Sequence, residues 1–163
     1  MTIGLRRMEP GDWSAVEGIY AEGIASGLAT FESRTPSAEA FLGTRIAALG
    51  SVAEREGVVV GWVAASPVSA RAAYRGVVEH SVYVAHEARG RGIGEALLRR
   101  LLEDAEALGV WTVQSSIIAE NVGSIRLHER VGFRVVGVRE RIGRTSDGAW
   151  HDTVLMERRS ALP

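Results

Sequence analysis

An apolar run from Val77 to Val84, the loop Arg89-Gly90-Arg91-Gly92-Ile93-Gly94 and a leucine-rich run from Ile93 to Leu108 constrain this chain most. The first run reads as a strand, and the helix opens at Gly92. A second strand-like run, Trp111 to Ile118, follows. That order makes a βαβ unit with two parallel strands. The loop also carries chemistry. N–H groups at a helix start lack partners, and their partial positive charge attracts anions. Glycines let the backbone come close to a phosphate, and Arg89 and Arg91 add charge. The segment reads as a site for a phosphorylated ligand; the plainer alternative is a glycine turn before an ordinary helix.

The rest of the chain fits one domain, residues 1–163, with no repeat and no linker long enough to divide it. Thr2 to Met8 reads as a first strand. Pro10-Gly11-Asp12 starts a helix with Asp12 as cap, and Trp13, Val16, Ile19, Tyr20 and Ile24 recur at helical spacing. After a loop from Gly27 to Pro36, Ser37 caps a second helix reaching about Leu49. Glu56-Gly57 separates two strand-like runs, a hairpin signal. Pro67 to Gly76 is a polar loop. Asn121 caps a helix that ends near Gly132, and Phe133 to Arg141 and Trp150 to Glu157 form a closing antiparallel pair. The fold expected is a mixed α/β sheet with helices around it.

Composition excludes several classes. Nineteen basic residues face twenty acidic ones, with no basic run or aromatic series to suggest nucleic acid. Cysteine is absent, which removes disulfides, thiolate metal sites and thiol nucleophiles. The four histidines lack metal-ligand spacing. No apolar stretch of about 18 residues suggests a membrane span. Charged residues interrupt any signal-peptide pattern at the N-terminus, so the cytoplasm is the expected compartment.

Three phosphate-loop patterns compete. Gly92 is followed by Ile93-Gly94-Glu95, so the lysine and hydroxyl of a P-loop are missing. A dinucleotide fingerprint starting at Gly90 fails at Glu95. The third pattern, Arg/Gln-x-x-Gly-x-Gly/Ala, is met by Arg89, Gly92 and Gly94. A second block runs from Glu120 to Phe133 and matches Asn-x-x-Ala/Ser-x-x-Leu-Tyr-x-x-x-Gly-Phe, with His128 in the tyrosine position. With these two motifs in this order, the chain resembles the GNAT acetyltransferases along nearly its whole length. Ala29-Thr30-Phe31-Glu32, Glu79-His80-Ser81-Val82-Tyr83-Val84 and Trp150-His151-Asp152 look like the phosphinothricin and methionine sulfone/sulfoximine subfamily.

The resemblance implies a mostly antiparallel sheet with a splayed parallel pair at its centre. It implies acetyl transfer from acetyl-CoA to the α-amine of a small amino acid or analogue, without a metal. An α-amine of pKa about 8 is mostly protonated at neutral pH, so a base is needed, and Glu79 is the candidate; a surface carboxylate is its plainer reading. Val82, Tyr83 and Val84 would offer backbone groups to the pantetheine arm, with an N–H near Val82 polarising the thioester. Arg89, Gly90, Arg91, Gly92, Ile93, Gly94 and Glu95 would wrap the pyrophosphate. Arg91 either reaches the 3′-phosphate or is solvated. Asn121 and Ser124 would contact the cofactor arm. His128 is a general acid or a packed structural residue. Arg71 and Arg75, with Tyr74 between them, would clamp the acceptor carboxylate. Thr30 and Phe31 would wall its side chain, and Trp150 is a lid or a core aromatic. Family members pair as homodimers. The competing functions are acetylation of a protein N-terminus or antibiotic amine, and a non-catalytic CoA sensor.

Overall fold

Seven strands separated by turns and helices assemble into one sheet. The computed structural model describes residues 2–161. Along the chain the elements are β1 (Gly4–Arg7), α1 (Trp13–Ala25), α2 (Ala38–Thr44), β2 (Ser51–Arg55), β3 (Val58–Pro67), β4 (Val77–Val84), α3 (Ile93–Ala107), β5 (Thr112–Ile118), α4 (Val122–Arg130), β6 (Arg134–Arg144) and β7 (Trp150–Arg159). The strands lie in the order β1-β2-β3-β4-β5-β7-β6, and every neighbouring pair is antiparallel except β4 and β5. The Glu56-Gly57 turn joins β2 to β3 with both residues at positive φ, 53° and 79°, as a two-residue hairpin of this twist requires.

Helices cover both faces. On one, Tyr20 of α1 and Phe41 of α2 meet Trp62 edge-on at 5.7 and 5.3 Å, and Trp62 stacks on Tyr83 at 4.7 Å. On the other, α3 buries Ile93, Leu97, Leu98, Leu101 and Leu102, the apolar stripe visible in the sequence. Bare Gly61 on β3 admits Leu97, Ile93 and the Tyr83 carbonyl close to its Cα. Asn121 caps α4 as expected, its side chain accepting from the Ser124 N–H.

Two helix boundaries differ from expectation. Asp12 does not cap α1 with its side chain. It closes a 3-10 turn, Pro10–Asp12, by accepting from the Glu9 N–H at 2.8 Å, and it takes two arms of Arg6 at 2.7 and 2.8 Å. The second helix stops at Thr44 rather than Leu49. The Thr44 hydroxyl donates back to the carbonyls of Ala40 and Phe41, and the Ile46 N–H donates to Ala65 of β3 at 2.8 Å. A 3-10 turn, Ala47–Leu49, then delivers Leu49 to the core.

Gly23 tests how tightly α1 packs. A Cβ there would sit 2.4 Å from the Tyr83 ring, which is held by Trp62. Alanine gains about 1 kcal/mol of helix propensity, but overpacking costs about 1–3 kcal/mol. The clash wins, so Gly23→Ala lowers the urea midpoint.

Candidate active site

β4 and β5 stay paired for only three rungs: Val77 with Thr112, Val78 with Val113, and Glu79 with Gln114. Beyond that rung β4 pairs only with β3, from His80 to Val84, and β5 only with β7, from Ser115 to Ile118. The two strands separate, and a cavity of about 640 Å³ opens at the splayed end. The backbone stretch Val82, Tyr83 and Val84 forms one wall; α4 supplies Ser124, Arg126, Leu127 and Arg130, with Asn121 at its cap.

The glycine loop forms the mouth. Gly90 and Gly92 have φ of 73° and 77°, a region that costs other residues strain, and Gly92 caps α3. The Ala96 N–H bonds the Gly92 carbonyl, while those of Ile93, Gly94 and Glu95 find no acceptor among the described residues. All three residues line the cavity. Arg89 lines it too and donates from Nε to the Val84 carbonyl at 3.2 Å. Three free N–H groups beside a guanidinium suit a diphosphate, so these residues fit acetyl-CoA. Glu95 adds a carboxylate, but Arg99 at 2.8 Å and Arg130 at 3.6 Å neutralise it and hold its pKa below the usual range.

Alternation along β4 puts Glu79 and Tyr83 on one face and His80 and Val82 on the other. Half-buried Glu79 accepts from the Gln114 side chain at 2.8 Å. It lies three residues, about 10 Å, from Val82 along the strand. The loop 27–36 runs from the cavity onto the Glu79 face. Its Leu28 and Ala29 line the cavity, and Asn121 Nδ2 donates to the Leu28 carbonyl at 3.2 Å. The Tyr83 hydroxyl donates to the Ala29 carbonyl at 3.4 Å, and desolvation raises the pKa of Tyr20 and Tyr83. Phe31 lies against bare Gly143 of β6, where a Cβ would be 2.4 Å from its ring.

On the opposite face His128 of α4 is 1% exposed and His80 is 4% exposed. Their Nε2 atoms are 3.0 Å apart, and Phe133 packs against both rings. Desolvation pushes both pKa values below the ordinary histidine range.

Of the residues expected at the cofactor site, Val82, Tyr83, Val84, Arg89, Gly90, Gly92, Ile93, Gly94, Glu95, Asn121 and Ser124 line one cavity, and Arg91 does not. Arg71 sits over the Tyr74 ring at 5.4 Å and Arg75 over Trp111 at 5.3 Å, all outside the cavity. Trp150 is no core aromatic: it is 49% exposed, with Arg141 and Arg144 each 5.6 Å from its ring. Sequence reasoning missed Ser26, Leu28, Ala29, Arg126 and Arg130 in the cavity wall. For the two arginines a signal existed, since i, i+4 spacing stacks them on one face of α4.

A splayed parallel pair with an anion cradle at its mouth defines an acyl-CoA-dependent transferase. The sequence profile of the acetyltransferase (GNAT) family matches residues 22–133. The chain belongs to this family and is an acetyltransferase. It is 34% identical to phosphinothricin N-acetyltransferase of Alcaligenes faecalis, over 94% of this chain and 81% of that one. It is 33% identical to L-methionine sulfoximine/L-methionine sulfone acetyltransferase of Salmonella typhimurium, over 96% and 93%. Among solved structures, a GNAT superfamily phosphinothricin acetyltransferase from Sinorhizobium meliloti in complex with AcCoA superposes with a TM-score of 0.86. It is 36% identical, covering 98% of this chain and 89% of that one.

The buried histidines give stability a definite pH dependence. Burial keeps the folded pair from binding a second proton, whereas both rings of the unfolded chain, of pKa about 6.5, take one up in acid. Their contribution is present above about pH 6.5 and is lost as pH falls below it. Urea midpoints should drop between about pH 6.5 and 5, and His80→Gln should flatten that slope.

Proposed function

We propose that the protein transfers acetyl from acetyl-CoA to the α-amine of a small amino acid or analogue of the phosphinothricin or methionine sulfone/sulfoximine kind. The amine attacks directly, within a complex holding both substrates. One observation carries this reading: the β4–β5 ladder ends at the rung that bears Glu79, three residues before Val82 of the cavity wall. The likeness to the phosphinothricin and methionine sulfoximine enzymes supports the acceptor class.

In this reading the unpaired N–H groups of Ile93, Gly94 and Glu95, with Arg89, Gly90 and Gly92, hold the diphosphate. Val82, Tyr83 and Val84 align the pantetheine arm along β4 as an added strand would be aligned. Asn121 and Ser124 contact that arm from α4. Glu79 takes the amine proton, oriented by Gln114. The departing thiolate receives a proton from the His128 side of the gap. Thr30 and Phe31 wall the acceptor side chain, and the exposed guanidinium groups of Arg71 and Arg75, with Tyr74, receive its carboxylate. The cytoplasm, with its acetyl-CoA, is the compartment this chemistry needs.

Pairing of two chains belongs to the same reading. Edge strand β6 exposes Val136, Val138 and Ile142, with Trp150 beside it, a surface that another copy would cover. Light scattering should report a dimer, and Val138→Glu with Ile142→Glu should report a monomer.

Glu79→Gln separates a transferase from a CoA-binding sensor. Turnover should fall about 10²- to 10⁴-fold, with acetyl-CoA affinity by calorimetry unchanged. Failure of the wild type to acetylate any member of an amine panel would favour the sensor. Arg71→Ala with Arg75→Ala should raise KM for amino-acid acceptors about 10- to 100-fold, since a charged hydrogen bond contributes about 1.5–3 kcal/mol. Activity confined to polyamines would remove the carboxylate clamp.

A further inference from the structure

His80 has no part in the acceptor or cofactor contacts described above, yet its ring meets His128 in a way that fixes their hydrogen count. His80 Nδ1 lies 3.1 Å from the Gln114 carbonyl, and His128 Nδ1 lies 2.7 Å from the Ser124 carbonyl. A carbonyl oxygen only accepts, so each Nδ1 carries a hydrogen. A neutral imidazole has one N–H, and here both are spent. The two Nε2 atoms nevertheless face each other at 3.0 Å. Three contacts need three hydrogens, and two neutral rings supply two.

One more proton completes the set and leaves the pair with a single positive charge. Burial opposes that charge. Three features favour it: the two carbonyl acceptors, the Phe133 ring with its centroid 5.0 and 5.5 Å from those of the imidazoles, and the place of His128 in the last turn of α4. The carbonyl end of a helix attracts cations. No carboxylate or guanidinium among the described residues contacts either ring.

We propose that His80 is a positioning residue for acetyl transfer: it shares one proton with His128 between their Nε2 atoms and so keeps His128 a ready donor toward Ser124. The proposal rests on the acetyl-transfer reading. Ser124 lines the cavity, and its hydroxyl is 3.4 Å from His128 Nδ1. As the C–S bond breaks, the thiolate takes the Ser124 hydroxyl proton. Ser124 Oγ takes the Nδ1 proton of His128, and the shared proton settles on His128 Nε2. The pair goes from one positive charge to none, and the thiolate from one negative charge to none. Gln114 ties this relay to the base, since its carbonyl meets His80 while its side chain meets Glu79.

The test reads the wild-type resting enzyme first. Histidine-labelled ¹⁵N spectra between about pH 6 and 9 should show two Nδ1–H groups and one proton coupled to both Nε2 atoms, lost in a single basic step. His80→Gln should remove that signal and the basic limb of the kcat–pH profile. It should also lower kcat about 10²-fold, with KM for acetyl-CoA nearly unchanged. Two neutral rings throughout that range, or a wild-type basic limb in His80→Gln, would overturn the proposal. If the variant does not fold, the wild-type spectrum alone decides. Absence of turnover on every amine overturns the transfer reading, while the spectrum still decides the shared proton.

Discussion

The rung between Glu79 and Gln114 is the constraint on which the rest of the structure depends. A parallel ladder carried further would seal the sheet. It stops there because each strand is held from outside: β4 by Ala65 to Gly61 of β3, and β5 by Met156 to Thr153 of β7. Both strands keep one full partner, so parting leaves a single edge of each without a neighbour. A buried, unpaired backbone group costs about 1–3 kcal/mol. The gap therefore favours water or a ligand that can make strand-like hydrogen bonds, as an amide-bearing pantetheine arm can.

The period of two along β4 turns one strand into several devices. Glu79 shares its face with Tyr83, whose hydroxyl donates to Ala29 of the loop that carries Thr30 and Phe31. Tyr83, on the same face, spends its ring on the aromatic core and its backbone on the cavity wall. His80 looks the other way, into α4. Gln114 joins the two faces because its carbonyl and side chain leave the strand in different directions. A substitution on this strand therefore touches base, cofactor wall or buried pair according to its parity, and the core packing of Tyr83 limits how far the strand can shift.

What the sequence disclosed was what local chemistry decides. Glycines at positive φ marked the loop before α3, Asn121 marked the start of α4, and Glu56-Gly57 marked the hairpin. Each works through neighbours within four residues. The His80–His128 contact was not legible, because it depends on where α4 docks, 48 positions along the chain. The docking of Leu28 and Ala29 into the cavity wall was hidden for the same reason: Asn121 holds their loop from a distant element. Trp150 misled by its type. Burial was the natural expectation for an aromatic on a late strand, but two guanidinium groups lie over its ring and the indole stays at the surface.

Glu95 shows how an anion site tolerates a carboxylate. In the first turn of α3 its charge favours the helix start, where amide dipoles point. Left alone it would repel a diphosphate at the same N–H groups. Arg99 from one turn on and Arg130 from α4 remove that conflict. The pairs are too solvated to stabilise the fold appreciably, so their importance is positional. Through Glu95, Arg130 is drawn to the cavity wall that Ser124 also lines. The charge that looks misplaced in the motif thus brings a second cation to the wall of the anion site.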